Sequence, residues 1–344
     1  MRLRGCCMAC SCYAFARFPP VRRMCVSWPQ IGVAAGKGKG LPEIDRRVNL
    51  SASLTCNAGQ RIKAATINKR ASPLFVLPYP QIDPVLVNLG PLPIRWYALA
   101  YIAGLVLGWL LARRYVMQDA LWGAQQHPTL ASLDDLLVYC ALGVIIGGRI
   151  GNALLYDFGY FLIHPLEIFK LWNGGMAFHG GVAGAVLAIW LFARRNRLAL
   201  LSVTDLCAAV APMGLFFGRL ANFIKPELWG RASDVPWAMV FPGAGPLARH
   251  PSQLYEAGLE GLALAAILGF AVRRGALKHA GLVTGLFGMG YALARTFSEI
   301  FREPDPLTEA LGEWFTKGML FSIPMFVIGL GLALRATRRP HVPA

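Results

Sequence analysis

Charged residues are scarce in this chain. They make up 15% of its 344 residues, against about 25% in a typical soluble domain. Hydrophobic residues make up 56%, and the mean hydropathy is +0.48. These values exclude an ordinary water-soluble domain, and they also exclude a disordered chain, which has few hydrophobic residues and much charge. They predict a protein that lies mostly in lipid, with the bilayer as a partner.

Several signatures of catalytic and binding sites are also missing. The chain has no Gly-x-Ser-x-Gly motif and no pair of aspartates at matching depth in its apolar segments, which argues against an intramembrane protease. No glycine-rich loop leads from a strand into a helix, which argues against ATP use. A cysteine cluster at residues 6–12 has no second ligand pair at metal-site spacing before Cys25. We therefore expect neither a metal nor a cofactor.

The positive charge lies mainly in an N-terminal tail. The net charge is +16, but residues 1–73 contain 13 Lys and Arg against 2 Asp and Glu, while the remaining chain contains 21 against 16. Basic residues are not spread over one folded face, so a nucleic-acid partner is not expected. The tail also holds six of the eight cysteines and has no helical or strand periodicity. We expect residues 1–73 to be disordered or an over-extended start, with the functional chain in residues 74–344.

Seven apolar runs predict the fold. Each is close to the 20 or so residues that a helix needs to cross a bilayer. The predicted class is an all-α polytopic membrane protein with seven transmembrane helices. The runs cover residues 94–112, 133–154, 176–193, 203–223, 254–272, 281–301 and 318–336.

Basic residues predict the orientation of these helices. They follow the first, third, fifth and seventh runs, and cytoplasmic loops are enriched in Lys and Arg. The odd-numbered helices are therefore expected to end in the cytoplasm, with the N-terminus outside and the C-terminus inside. An outside N-terminus would require the basic tail to cross the membrane, which favours the removal of the tail or its absence from the functional chain. The basic residues are Arg113, Arg114, Arg194, Arg195, Arg197, Arg273, Arg274, Lys278, Arg335, Arg338 and Arg339.

Polar residues in the runs fall at the ends expected to face outwards. Ionisable residues are costly in a membrane and usually face a cavity, a partner or a substrate route. Their placement predicts a polar site open to the outer leaflet. An excess of arginine there suits a phosphate or a carboxylate. The residues are Tyr97, Arg149, Asn152, His179, Arg219, Asn222, Gln253, Tyr255, Glu256, Tyr291, Arg295, Glu299 and Arg302.

The cytoplasmic halves of the runs have few polar groups beyond Asp205, for which we expect a cap of its own helix and no chemistry. A transport pathway needs polar groups through the whole bilayer. A lipid or solute transporter with an outward-facing anion site is therefore the alternative function. Glycines in runs two and three predict close helix packing. They are Gly147, Gly148, Gly151, Gly180, Gly181 and Gly184.

Several motifs resemble those of the bacterial prolipoprotein diacylglyceryl transferases. The longest is Gly-Arg-Leu-Ala-Asn-Phe-Ile-Lys-Pro-Glu-Leu-Trp-Gly at residues 218–230. Similar matches lie at residues 172–181, around His179, and at residues 249–256. Residues 147–151 and 295–302 also match. The resemblance covers roughly residues 78–338 in order.

This resemblance implies a reaction. The family transfers the diacylglyceryl group of phosphatidylglycerol to the lipobox cysteine of a prolipoprotein signal peptide. It forms a thioether, releases sn-glycerol 1-phosphate, and acts at the outer (periplasmic) face of the bacterial inner membrane. His179 is the implied base for the thiol, with Arg219 and Arg295 as the other catalytic residues. The implied substrate-binding residues are Arg219, Asn222, Tyr97, Arg149, Glu227, His250, Gln253, Glu256, Tyr291, Glu299 and Arg302.

Three positions depart from the family pattern. Lys225 stands where the family usually has asparagine, and Pro226 where glycine is common. Asn152 replaces an expected aromatic residue, which removes a stacking contact. We expect the loop from Asn222 to Glu227 to be rearranged.

Overall fold

The computed structural model describes residues 77–80, 82–90, 92–171, 174–303 and 316–338. The predictions for residues 1–73, including disorder and the absence of a metal at the cysteine cluster, lie outside these residues. So does most of the acidic segment between Arg302 and Lys317.

A short hairpin, which the all-α prediction missed, precedes the first helix. Strand β1, Val85–Leu89, pairs antiparallel with β2, Leu92–Arg95. Gly90 between them has a φ of +60°, which glycine adopts at little cost. Because β2 runs directly into the first helix, that helix begins at Trp96 rather than at residue 94.

Helices occupy all seven of the predicted apolar runs. The fifth run is a continuous helix in which a π-helical turn separates α6 from α7. Short 3₁₀ turns lie at Asp119–Leu121, Pro165–Phe169 and Ala276–Lys278. The helices are α1 Trp96–Val116, α2 Leu130–Leu155, α3 Phe158–Ile163, α4 Phe178–Arg195, α5 Leu200–Ile224, α6 Ser252–Glu256, the π turn Ala257–Ala263, α7 Leu264–Arg273, α8 Leu282–Glu299 and α9 Lys317–Arg338.

Among the described residues, five helical segments are long and apolar enough to cross a membrane. They are α1, α2, α5, the continuous α6–α7 segment and α9. The other two helices in predicted runs, α4 and α8, have 18 residues each and contain two charged residues. The protein is thus helical with at least these candidate spans, and the count of seven stays a prediction.

Glycines set the closest helix contacts, as predicted. α2 packs mainly on α4, α1 on α5, and α8 on α9. A Cβ at Gly143 would lie 2.5 Å from the carbonyl oxygen of Gly184, and one at Gly151 would lie 2.6 Å from Cα of Gly180. Small residues at this spacing let helix backbones approach closely in membranes. α2 and α4 therefore form a tight pair.

The interior below the polar site is apolar. Phe192 of α4, Leu206 of α5, Leu268 of α7 and Val283 of α8 belong to one buried cluster. Large apolar side chains on the outer faces of the helices are exposed, as expected of a surface that faces lipid. Examples are Leu105, Ile146, Val186, Ile267 and Val327.

Asp205 is fully buried and caps a different helix from the one expected. Its carboxylate accepts the backbone N–H of Gly281 at 2.7 Å, and the N–H and hydroxyl of Thr284 at 2.7 and 2.6 Å. These donors lie at the start of α8, so Asp205 ties α5 to α8. The sequence predicted a cap within α5, because spacing alone does not reveal a neighbouring helix start.

Segment 225–251 connects α5 to α6 at the end of the fold where the polar residues gather. Tyr79 donates its hydroxyl to the carbonyl oxygen of Phe223 at 2.6 Å and packs against Phe241. Gly230 lies against His250 and Phe301, where a Cβ would come within 2.7 Å of His250 Cβ. The segment is therefore attached both to the end of α5 and to the end of α8.

Candidate active site

Arginine and glutamate side chains meet between the end of α5, the junction of α6 with the π turn, and the end of α8. Glu256 is at the centre and is fully buried. Its Oε1 lies 2.6 Å from Nη1 of Arg295 and 3.3 Å from Nη1 of Arg302, and its Oε2 lies 3.0 Å from Nη1 of Arg219. One carboxylate thus contacts three guanidinium groups. We call these residues, with Glu260 and Glu299, the ion-pair network.

Glu260 and Glu299 complete the ion-pair network. Glu260 Oε2 accepts Nε and Nη2 of Arg219 at 3.2 and 3.0 Å, and its Oε1 lies 3.5 Å from Nη1 of Arg295. Arg295 also pairs with Glu299, one helical turn away on α8. Helix α9 lies against this pair, since a Cβ at Gly318 would come within 2.9 Å of Glu299 Cγ. Sequence reasoning missed Glu260, although an ionisable residue inside an apolar run was the available signal.

The ion-pair network is balanced in formal charge, with three arginines and three glutamates. Desolvating a charge is costly unless it is paired and hydrogen-bonded, and here the carboxylates are the most buried members. Guanidinium groups held in place before substrate arrives can stabilise negative charge without reorganisation. The geometry therefore suits an anionic group that enters from the side of the arginines.

Two predicted residues lie beside the ion-pair network. Tyr291, one turn before Arg295 on α8, is close enough to Arg219, Glu260 and Arg295 to interact with them electrostatically. Asn222, three residues after Arg219, is buried. Its backbone carbonyl oxygen accepts the backbone N–H of Glu227 at 3.1 Å. Both stay candidates for substrate contact.

A second cluster lies around Glu227. Its carboxylate is 2.8 Å from the Lys225 ammonium, which lies 5.4 Å from the centre of the Tyr97 ring. Its carbonyl oxygen accepts the amide of the fully buried Gln253 at 2.6 Å. The other side-chain atom of Gln253, Oε1, has no hydrogen-bond partner among the described residues. Lys225 is thus an added cation next to the predicted lipid site.

His179 lies outside both clusters. It is exposed in the first turn of α4, its ring is 5.4 Å from that of Phe321, and it lines one end of an apolar cavity of about 650 Å³ between α2 and α4. Phe321 and Gly318 are three residues apart on α9 and share a face. His179 and Glu299 therefore contact the same face of α9, although no direct contact joins them in the described structure.

Arg149 is not free for a ligand in this conformation. Its five N–H groups donate to five backbone carbonyls of the segment after α3, and its guanidinium lies 5.2 Å from the Phe161 ring centre. Gly174 and Gly175 have φ values of +76° and +78°, and a Cβ at Gly175 would lie 2.9 Å from the amide nitrogen of Asn152. The acceptors are the carbonyls of Glu167, Ile168, Lys170, Gly174 and Gly175.

Asn152, the departure in α2, also has a partner there. Its amide donates to Asp157 at 3.2 Å, so a hydrogen bond replaces the expected stacking contact.

His250 belongs to the outer segment rather than to the ion-pair network. Its Nδ1 lies 3.1 Å from the hydroxyl of Tyr255, and its ring packs on Phe301. Burial lowers the pKa of His250 below the ordinary value for histidine. These contacts place it against Gly230, where it supports segment 225–251.

Comparison with known proteins identifies the family. The family model described as prolipoprotein diacylglyceryl transferase matches residues 84–335. The chain belongs to this family. Proteins named phosphatidylglycerol–prolipoprotein diacylglyceryl transferase from Methylocella silvestris and Beijerinckia indica are each 60% identical, over 270 and 265 residues. These alignments cover 78% and 76% of this chain, and 99% and 96% of the relatives. The Rhizobium meliloti protein of the same name is 55% identical over 269 residues.

Membership of the diacylglyceryl transferase family makes the chain a membrane transferase of lipoprotein biosynthesis. It confirms the resemblance drawn from the sequence motifs. The ion-pair network lies in the matched region, with Arg219 in the longest motif and Arg295 in the last. The individual roles of these residues are not decided by membership, and they stay predictions.

Proposed function

We propose that this protein transfers the diacylglyceryl group of phosphatidylglycerol to the lipobox cysteine of prolipoprotein signal peptides. The cysteine sulfur forms a bond to the glycerol carbon of the lipid, and the bond from that carbon to the phosphate oxygen breaks. The products are a thioether and sn-glycerol 1-phosphate, and the thiol proton passes to a base. Family membership and the ion-pair network support this reaction.

The site is proposed to face the periplasm in a bacterial inner membrane that seven helices cross. Basic residues in the last turns of α1, α4, α7 and α9 support this orientation. The ion-pair network lies at the opposite ends of the bundle, at the C-terminal ends of α5 and α8. This orientation leaves the N-terminus outside and the C-terminus inside. We retain residues 74–344 as the transferase domain.

The first chemical task is to activate the substrate thiol. A free cysteine thiol, with a pKa near 8.5, is mostly protonated at neutral pH, and its thiolate is the nucleophile. His179 is the proposed base. Its exposure and its place at the end of the apolar cavity support access from the membrane, where the signal peptide and the lipid both lie.

The second task is to stabilise the departing phosphate. Cleavage converts a phosphodiester with one negative charge into a monoester that carries more negative charge on the leaving oxygen. Arg295 and Arg219 are proposed to receive that charge, and Glu299 orients Arg295. Asn222, Tyr97, Glu227, Gln253, Glu256, Tyr291 and Arg302 are proposed to hold the lipid head group, with Arg149 and His250 now assigned to supporting positions.

The observation that carries the proposal is the placement of Arg219 and Arg295 on one buried carboxylate, 3.0 and 2.6 Å from Glu256. To test it, the purified full chain is given phosphatidylglycerol and a lipobox peptide, and the peptide mass is measured. We expect a mass increase of one diacylglyceryl group. The control peptide has serine in place of the lipobox cysteine and gains no mass.

The transporter alternative gives a different result in the same preparation. A transporter reconstituted in vesicles would move phosphatidylglycerol or an organic anion across the bilayer without modifying the peptide. An unmodified peptide together with such movement would overturn the transferase proposal.

A further inference from the structure

Glu260 has no role in the sequence-based site, yet it is fully buried beside the two arginines proposed to receive the phosphate charge. It lies in the π turn between α6 and α7. Single π turns inside helices frequently occur at functional sites. Its neighbour Gly261 brings the turn close to α5, because a Cβ there would lie 2.6 Å from Cβ of Phe216. This approach puts the Glu260 carboxylate within reach of Arg219.

The contacts of Glu260 are directed mainly at Arg219. Within the described residues, both hydrogen bonds that Arg219 donates go to Glu260 Oε2, at 3.2 Å from Nε and 3.0 Å from Nη2. Two N–H groups bound to one acceptor fix the plane of the guanidinium. The Nη1 group remains on the other edge, 3.0 Å from Glu256 Oε2. Glu260 therefore holds the Nε and Nη2 edge of the Arg219 guanidinium and leaves the Nη1 edge as the one that can approach a ligand.

Glu260 also contributes to charge balance. Its second oxygen, Oε1, has no hydrogen bond among the described residues and lies 3.5 Å from Nη1 of Arg295. Removing its charge would leave the ion-pair network with three arginines and two glutamates. An anionic lipid would then bind more readily, while the arginines would be less fixed at the moment of bond cleavage.

We propose that Glu260 is a positioning residue that orients Arg219 towards the lipid phosphate and limits the binding of the lipid before reaction. This inference rests on the proposed function. Interactions that strengthen only in the transition state raise kcat, whereas those that bind the substrate and the transition state equally change KM alone. Loss of a group that orients Arg219 should therefore separate the two constants.

The test compares the unmodified full chain with Glu260→Gln, Glu260→Asp and the matched control Asp134→Asn. Asp134 accepts the indole N–H of Trp109 at 2.8 Å near the N-terminal end of α2. In the part of the chain that the structure describes, no hydrogen bond or ion pair joins it to a residue of the site. Transfer to the lipobox peptide is measured over a range of phosphatidylglycerol concentrations. For Glu260→Gln we expect kcat to fall at least tenfold while KM for the lipid is unchanged or lower. Glu260→Asp, which keeps the charge, should keep the original KM and recover part of kcat, and Asp134→Asn should match the unmodified chain.

Other outcomes separate this inference from the proposed function. Unchanged kcat in Glu260→Gln would overturn the positioning role while leaving the transferase proposal intact. A further outcome is an equal loss of transfer activity in Glu260→Gln and Glu260→Asp, with thermal unfolding showing that the loss matches a smaller fraction of folded protein. That result would assign Glu260 to packing alone and overturn the positioning role. No transfer by the folded, unmodified chain would overturn both proposals.

Discussion

Buried carboxylates occur at both ends of this helical bundle, but their partners differ. Asp205, at the end proposed to be cytoplasmic, accepts from two backbone N–H groups and one hydroxyl at the start of α8. Glu256 and Glu260, at the other end, face arginine side chains. Backbone donors at a helix start belong to the helix itself, whereas a guanidinium held by carboxylates is a side-chain donor that can also bind a substrate anion. The same chemical group therefore ties two helices together at one end and holds arginine side chains in place at the other.

This difference separates stability from chemistry. The three donors that contact Asp205 all bind its carboxylate, so none of them is free to bind a ligand. In the ion-pair network, one oxygen each of Glu256 and Glu260 lacks a hydrogen bond among the described residues. A substrate anion can compete there for the arginines. We therefore expect substitutions at the two ends to affect different measurements.

The largest effect is expected for Arg295→Ala. Removing one group that stabilises developing charge typically costs 10²- to 10³-fold in rate, so we expect kcat for transfer to fall about 10³-fold while phosphatidylglycerol still binds. Rate and binding are measured on the same preparation. Arg274→Ala is the control, since Arg274 lies over the Phe270 ring beyond the opposite end of the α6–α7 segment. An active Arg295→Ala variant would remove Arg295 from the catalytic set.

The opposite pattern is expected for Asp205→Ala. It leaves the donors of Gly281 and Thr284 without an acceptor. A lost cap costs about 0.5–2 kcal/mol, and an unsatisfied buried donor costs about 1–3 kcal/mol. We expect a loss of about 3 kcal/mol in the free energy of unfolding, with kcat unchanged per folded molecule. Thermal unfolding and activity are compared at a temperature where the variant is folded. A lower kcat without lower stability would contradict the division between the two ends.

A smaller effect is expected for Arg149→Lys. An ammonium has three donors and cannot reproduce the planar contacts of Arg149 with five carbonyls. Residues 164–171 should therefore become accessible to protease. Transfer should slow by roughly tenfold, because small displacements of positioning groups lower the rate. Arg194→Lys is a matched control at the other end of the α2–α4 pair, beside Trp190. If Arg149→Lys keeps the segment protected but loses lipid binding, Arg149 contacts the substrate directly, as the sequence predicted.

The smallest effect concerns pH and His250. Because burial lowers its pKa in the folded protein, protonation favours the unfolded chain, whose histidine has a pKa of about 6.5. The stability that depends on neutral His250 is thus present above that value and is lost as the pH falls below it. Thermal unfolding at pH 7.5 and 5.5 should show a larger loss for the unmodified chain than for His250→Gln. Parallel losses would mean that another group dominates.

Hydrophobic runs predicted where the helices lie to within a few residues, because a helix that crosses lipid must be long and apolar. The hairpin before α1 was missed since its strands are only five and four residues long. Asp205 accepts from Gly281 and Thr284 at the start of α8, and this contact joins two segments that are far apart in the sequence. Such contacts leave no period in the sequence.

The sequence predicted which residues form the candidate site more fully than it predicted how they are arranged. Arginines in an apolar chain indicated an anion site, and the structure brings Arg219, Arg295 and Arg302 together on Glu256. Arg149 is also an arginine at the outward end of its apolar run. It lies apart from the other three because Gly174 and Gly175, which have positive φ, direct their carbonyl oxygens towards it. Glu260 was overlooked because the helical pattern assigns it to an ordinary apolar run.

The π turn at Ala257–Ala263 has a consequence for how the site could change over time. A π turn takes up about one residue more than the same stretch of α-helix, and each residue advances an α-helix by about 100°. Regular α-helix through all seven of these residues would therefore rotate Gln253 and Glu256 by about that angle relative to α7. Every side chain of the site would still be encoded. A substitution that favours regular helix over the π turn could therefore inactivate the protein while leaving all of its polar residues in place.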